Sequence, residues 1–225
     1  MIDIVTLTMN NPRELNDTVN SLSQSISEIS NIYVIYDGCK PILKEEFIEI
    51  CVLKKIVIIK GPGKGIYPAM NCALNYVKNN FIFVNSGDKL IGNPLREVKG
   101  LNVPLSISCN IVLNDGEIIK FTPNKRLKKF NHNSIIYPRN FKIKYDVAYE
   151  IAADFDICLK MEREFGWPTQ IVTNGYLQYN INGISSLKKK TRDYEYLKVS
   201  LKNYKYFISL WYLIKYFINY LRGYD

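Results

Sequence analysis

Four hydrophobic runs of strand length in the first ninety residues each end in a polar or glycine-rich cluster, and stretches of helical period follow three of them. Ile2 to Leu7 is a β-branched run, after which Pro12 opens a stretch whose Leu15, Val19, Leu22 and Ile26 recur at helical spacing. Ile32 to Tyr36 ends in Asp37-Gly38 and leads into a second expected helix from Pro41 to Ile50. Ile56 to Ile59 runs into Gly61-Pro62-Gly63-Lys64-Gly65, followed by a third helix marked by Ala69, Ala73, Leu74 and Val77. Phe81 to Val84 stops at Asn85-Ser86-Gly87-Asp88. Repeated βα units with short connections predict a largely parallel open sheet covered by helices, because a parallel pair needs a helix-sized, right-handed crossover.

Ligands of such sheets bind beyond the carboxyl ends of the strands. Four segments meet there in this sequence: Thr8 and Asn10, Asp37, Gly63-Lys64-Gly65, and Asn85 to Asp88 with Ser86 among them. The glycines let backbone approach a phosphate and Lys64 adds positive charge, while Asp37 and Asp88 can bind ribose hydroxyls or a divalent cation. A nucleoside diphosphate with a metal ion satisfies all of these. Neither a G-x-G-x-x-G fingerprint after the first strand nor a Walker A motif occurs.

The 225 residues suit one domain with an appendage, and 47% hydrophobic content is enough for a sizeable core. Five cysteines at 39, 51, 72, 109 and 158, with one histidine and no C-x-x-C pair, exclude a disulfide framework and a Cys/His zinc site. The N-terminal Met-Ile-Asp-Ile-Val-Thr lacks the basic start and long apolar run of a signal peptide, so a reducing cytoplasm is the expected location.

Several motifs resemble glycosyltransferase family 2, and within it the bacterial subgroup that builds O-antigen, capsular and colanic-acid-type polysaccharides. Thr8-Met9-Asn10-Asn11-Pro12 is similar to the T-Y-N-x opening, and Tyr36-Asp37-Gly38 to the second-strand aspartate turn. Lys64 to Asn71 is similar to a K-G-I-Y-D-A-M-N block, and Phe83 to Asp88 to an F-L-N-S-G-D form of the D-x-D element. Ile151 to Asp156 is similar to I-A-A-D-Y-D, and Tyr179 to Ser186 resembles a late G-G-I-S element. Pro68 stands where the block has Asp, and Asn85 and Gly87 stand where a strict D-x-D has acids, leaving Asp88 as its only carboxylate.

The resemblance spans residues 2 to 186 and implies a GT-A (Rossmann-like) fold, a mostly parallel sheet flanked by helices. It also implies inverting transfer from a nucleotide-sugar donor, a UDP-sugar first. Acceptors in the subgroup are saccharides on a polyprenyl diphosphate. By resemblance Asp154 is the catalytic base, Asn71 contacts the donor, and His132 and Asp156 lie on the acceptor side. Thr8, Asn10, Asp37, Lys64, Gly65, Ser86 and Asp88 are the other expected donor contacts, with Asp88 holding Mn²⁺ or Mg²⁺. Each residue also has a plain alternative: Asp154 as a helix cap, Asp37 and Asp88 as turn residues, Lys64 as a solvated loop lysine and His132 as a structural histidine.

Charge is uneven. The net charge is +9, and from Ser185 onward nine basic residues face three acidic ones. Lys120 to Lys144 adds eight basic residues and no acid, a solvated loop or a lip for a phosphate-bearing acceptor. Residues 187–225 read as amphipathic helices: Lys205, Ser209, Tyr212, Lys215, Asn219 and Arg222 form a narrow polar stripe, and Phe207, Leu210, Trp211, Ile214, Phe217 and Ile218 lie on a wide apolar face. Lys215 and Asn219 interrupt a run too short to span a bilayer. Such a helix suits an anionic membrane surface on the cytoplasmic side, or alternatively packing on the catalytic domain or a homodimer interface. Clustered Lys and Tyr admit a nucleic-acid binder, but no recognition motif is present and the charge sits beside an apolar face, so nucleic acid is not the expected partner. An inactive assembly partner is the other alternative, suggested by the missing D-x-D acids.

Overall fold

The structure is a computed structural model that describes residues 1–9, 11–38, 55–98, 102–113, 115–128, 130–180, 188–203 and 205–221. The helix expected over 41–50, the late motif from 181 and the expected boundary at 186 lie outside the described residues.

A seven-stranded sheet forms the centre. It contains β1 (Ile2–Thr8), β2 (Ile29–Tyr36), β3 (Lys55–Lys60), β4 (Asn80–Phe83), β6 (Leu105–Ser106), β9 (Ile135–Tyr137) and β10 (Thr169–Gln170), in the order β10-β6-β9-β4-β1-β2-β3. β1 pairs parallel with both β2 and β4, β2 pairs parallel with β3, and β9 runs antiparallel to its two neighbours. A second sheet orders β5 (Lys89–Asn93), β11 (Asn174–Asn180), β7 (Cys109–Val112) and β8 (Ile118–Lys120) as β5-β11-β7-β8.

Every residue of β1 is buried because both sheet faces are covered. Ile2 and Ile4 pack with Leu15 and Val19 of α1 (Pro12–Ser21). Val5 and Leu7, on the alternate face, pack with Met70 and Ala73 of α2 (Ile66–Ala73) and with Ile157 and Met161 of α3 (Ala153–Phe165). α1 is shorter than its sequence period suggests: Leu22–Glu28 continues as a 3₁₀ segment that keeps Leu22 in the core. Asp3, fully buried at the amino end of the sheet, is satisfied by the Lys78 and Asn79 N–H groups and the Asn31 and Asn79 side-chain amides.

The C-terminal segment forms α4 (Lys189–Lys202) and α5 (Tyr206–Leu221). Val199, Ile208 and Tyr212 pack against Ala152, Phe155 and Leu159 at the start of α3. Each buried side chain of this size contributes about 1.5–3 kcal/mol, enough to dock the helix pair on the α/β layer. α5 buries only Ile208, Ser209 and Tyr212; Phe207, Leu210, Phe217 and Leu221 are 55–82% exposed.

Candidate active site

The order β3-β2-β1-β4 sets four strand ends side by side, and backbone pairing continues past them. The Asp37 N–H donates to the Thr8 carbonyl at 3.0 Å, Gly61 to Tyr36 at 2.8 Å, and Ser86 to Leu7 at 3.0 Å. The residues just beyond each strand are thereby fixed around one cleft of about 410 Å³.

Its floor includes Thr8, Asp37, Gly65, Asn85 and Ser86. Asp37 lies against the backbone of Gly61, where a Cβ would come within 2.1 Å of Asp37 Oδ1, so only glycine fits there. Asp37 Oδ1 accepts the Gly63 N–H at 2.9 Å. Oδ2 of Asp37, Oδ1 of Asn85, Oγ of Ser86 and Nδ1 of His132 are buried with no hydrogen-bond partner among the described residues. Orphaned polar atoms are costly, and four of them lie around this one cleft, free to bond a ligand. The first turn of α2 also borders the cleft through Gly65, Ile66 and Tyr67, and its N–H groups and dipole favour an anion.

Asp154, in the first turn of α3, forms the opposite wall. It is not the cap of that helix. Ala152 occupies the cap position, and Glu195 of α4 holds the chain that enters the helix: its carboxylate accepts the N–H groups of Glu150 and Ile151 at 2.8 Å and of Ala152 at 2.9 Å. Asp154 Oδ1 accepts its neighbour's N–H, from Phe155, at 2.6 Å. Burial, assisted by the nearby Glu195 charge, pushes the Asp154 carboxyl up to about 7. The Tyr67 hydroxyl donates to the Ile151 carbonyl and its ring stacks on Tyr145 at 5.7 Å, bracing the segment that leads to Asp154. His132 borders the same cleft beside Phe83 and Tyr145, and burial lowers it to about 4, so it is a neutral imidazole at pH 7.

Four expected residues are placed elsewhere. Asn71 exchanges both amide functions with the Tyr145 backbone, at 2.9 and 2.8 Å, and tethers a loop instead of facing the cleft. Lys64 is exposed and off the cleft lining. Asp156 is turned into the protein and ion-paired with Lys160 at 2.6 Å, one helical turn on. Asp88 is 3% exposed, with Oδ1 accepting the Asn180 N–H and Oδ2 the Asn133 amide, both at 3.0 Å. Its burial raises it to about 7. Asn10 lies outside the described residues. With both Asp88 oxygens engaged off the cleft, and no group of three His, Cys, Asp or Glu placed for an ion among the described residues, the site does not fit a divalent cation held by Asp88.

The structure thus brings together Thr8, Asp37, Gly65, Ser86, His132 and Asp154. Tyr67, Glu150 and Tyr179 join them unforeseen, although Tyr67 lies within the Lys64 to Asn71 block and Tyr179 opens the Tyr179 to Ser186 motif.

This arrangement of sheets and helices is similar to that of Staphylococcus aureus TarS. A 1–349 fragment superimposes with a TM-score of 0.69 at 13% identity, covering 89% of this chain and 64% of that one. The fold is GT-A. The same fragment in complex with UDP gives 0.66 at 14% identity, and in complex with UDP-GlcNAc 0.65 at 14%, with 89% of this chain covered. The present chain spans about 64% of the TarS fragment's length. No protein-family model and no curated protein matches the sequence.

Proposed function

We propose that this protein is an inverting glycosyltransferase that moves a sugar from a nucleotide-sugar, a UDP-sugar first, to a hydroxyl of a saccharide acceptor in surface-polysaccharide synthesis. The observation that carries the reading is Asp154: a carboxylate poised near neutral pH on the wall of a cleft whose floor carries orphaned polar atoms at the strand ends. The motif resemblance and the fold shared with a UDP-GlcNAc-binding protein point the same way.

In this reading the nucleoside rests against Thr8 and Asp37, and the diphosphate meets the first turn of α2 and Ser86. Asp154 accepts the proton of the acceptor hydroxyl as its oxygen bonds to the anomeric carbon. The bond from that carbon to the diphosphate oxygen breaks, and the electron pair leaves on the nucleoside diphosphate. One displacement inverts the anomeric centre. Neutral His132 serves as a hydrogen-bonding group and not as a cation.

The acceptor is a saccharide linked to a lipid diphosphate, and α5 holds the protein at an anionic cytoplasmic membrane surface. Among the described residues no helix is long and apolar enough to cross a bilayer, whereas α5 presents Phe207, Leu210, Trp211 and Phe217 outward beside Arg126 and Lys215. That combination suits an interfacial helix.

Calorimetric titration with UDP, GDP, CMP and ADP tests the donor site. UDP should bind, and Asp37→Ala should weaken it at least tenfold; no binding by any nucleotide would overturn the reading.

A further inference from the structure

A second cavity, of about 270 Å³, lies between α3, α4, α5 and the loop that follows β8. Asp154 is the one described residue that lines both this cavity and the cleft, so its carboxylate borders two spaces. The second space is built for a polar ring beside an anion. Phe130, Phe155 and Tyr196 supply aromatic walls, Lys128, Arg192 and Lys215 supply three cations, and the buried Asp193, ion-paired with Arg192 at 3.1 Å, is the acid beside them, so Lys215 is the cation that adds charge for an anion.

One feature of its lining indicates a ligand. Tyr212 is 2% exposed, and among the described residues its hydroxyl, on the wall of this cavity, is buried without a hydrogen-bond partner.

The cavity does not end there. Arg192 and Lys215 also line a third space of about 400 Å³, a groove along α4 and α5 whose apolar wall is Trp211, Ile214 and Ile218. Those three side chains are 40–48% exposed and lie on the outward face of α5. Asp154 therefore joins the cleft to the aromatic pocket, and Arg192 and Lys215 join that pocket to the apolar groove, one line of shared lining residues.

We infer that this line is the acceptor track: the accepting sugar sits in the α3-α4-α5 pocket against Asp154, the phosphate joining it to its carrier lies between Arg192 and Lys215, and the carrier's apolar chain follows Trp211, Ile214 and Ile218. The inference rests on the transferase reading and places the acceptor on the side of Asp154 away from the nucleotide. His132 then belongs to the donor side, because it lines the cleft and not the second cavity.

Farnesyl diphosphate, inorganic pyrophosphate and farnesol serve as probes, titrated into the full chain saturated with UDP. Wild type should bind farnesyl diphosphate tightest. Lys215→Ala should weaken both phosphate-bearing probes at least tenfold, and Trp211→Ala should weaken farnesyl diphosphate about fivefold while leaving pyrophosphate within twofold. UDP affinity should stay within twofold in both variants, which separates this inference from the donor reading: loss of UDP binding by wild type would remove the latter. Absence of farnesyl diphosphate binding, its displacement by UDP, or equal affinity in wild type and variants would overturn the track. So would loss of binding to phosphatidylglycerol vesicles in Lys215→Ala with farnesyl diphosphate affinity intact, which would make Lys215 a headgroup contact.

Discussion

Glu195 holds Ala152: its Oε2 accepts the Ala152 N–H at 2.9 Å, two residues before Asp154 and across the interface between α4 and α3. With the Glu150 and Ile151 N–H groups on the same carboxylate, a residue of the C-terminal helices fixes the start of the helix that carries the proposed base. Glu195→Ala should lower stability by about 3 kcal/mol, since it strands buried N–H donors. Turnover should fall more than UDP affinity. Urea unfolding together with UDP titration reads both, and an unchanged unfolding midpoint would show that the clamp contributes nothing.

The proposed base carries a pH signature. Asp154 can accept a proton only when ionised, and burial places it at about 7. The rate at limiting substrate should rise about tenfold per pH unit below 7 and level off above it. A flat profile from pH 5.5 to 8.5 would exclude Asp154 as the titrating base.

Asp88 gives a stability signature of opposite use. Its folded-state value of about 7 exceeds the ordinary 3.8, so the folded protein binds the extra proton between those limits. Its contribution to stability is therefore greatest below pH 4 and declines as pH rises toward 7. Asp88→Asn cannot ionise, so its stability relative to wild type should improve from pH 5 to pH 8. UDP affinity should stay within about twofold, with or without Mn²⁺. A loss of UDP binding that appears only in the presence of Mn²⁺ would restore Asp88 as an ion ligand.

Much of this was readable from residue patterns. The alternation of strand runs with helical periods located β1, β2, β3 and β4, and each polar cluster after a strand reaches the same cleft because parallel strands end on one side. Asp154 was found through a short motif, and its place opposite the strand ends follows from α3 packing on the face of β1 that holds Val5 and Leu7. Side-chain direction was not readable. Asn71 and Asp156 lie beside motif residues that face the cleft, yet helical geometry turns them toward Tyr145 and Lys160. Asp88 follows Gly87, and the turn delivers it under β11, whose Asn180 occupies its carboxylate. Glu195 gave no signal at all, since an acid in a basic amphipathic stretch reads as a surface charge until its burial is seen.

The exposed side of α5 predicts surface association. Leu210→Glu with Phe217→Glu changes two residues that are 56% and 57% exposed, so the fold should persist while binding to phosphatidylglycerol vesicles falls at least tenfold. Co-sedimentation measures this. Unchanged vesicle binding together with loss of a dimer in analytical ultracentrifugation would instead make α5 a contact between two copies of the chain.

In the proposed transfer from a nucleotide-sugar, Asp154 takes the acceptor's proton. UDP release from a panel of UDP-sugars, measured with lipid-linked saccharide acceptors for wild type and Asp154→Asn, tests it most directly. Wild type should turn over, and the variant should lose at least a thousandfold while its UDP affinity and unfolding midpoint are retained. Turnover at the wild-type rate by the folded variant, or none by a wild type that binds UDP, would contradict it.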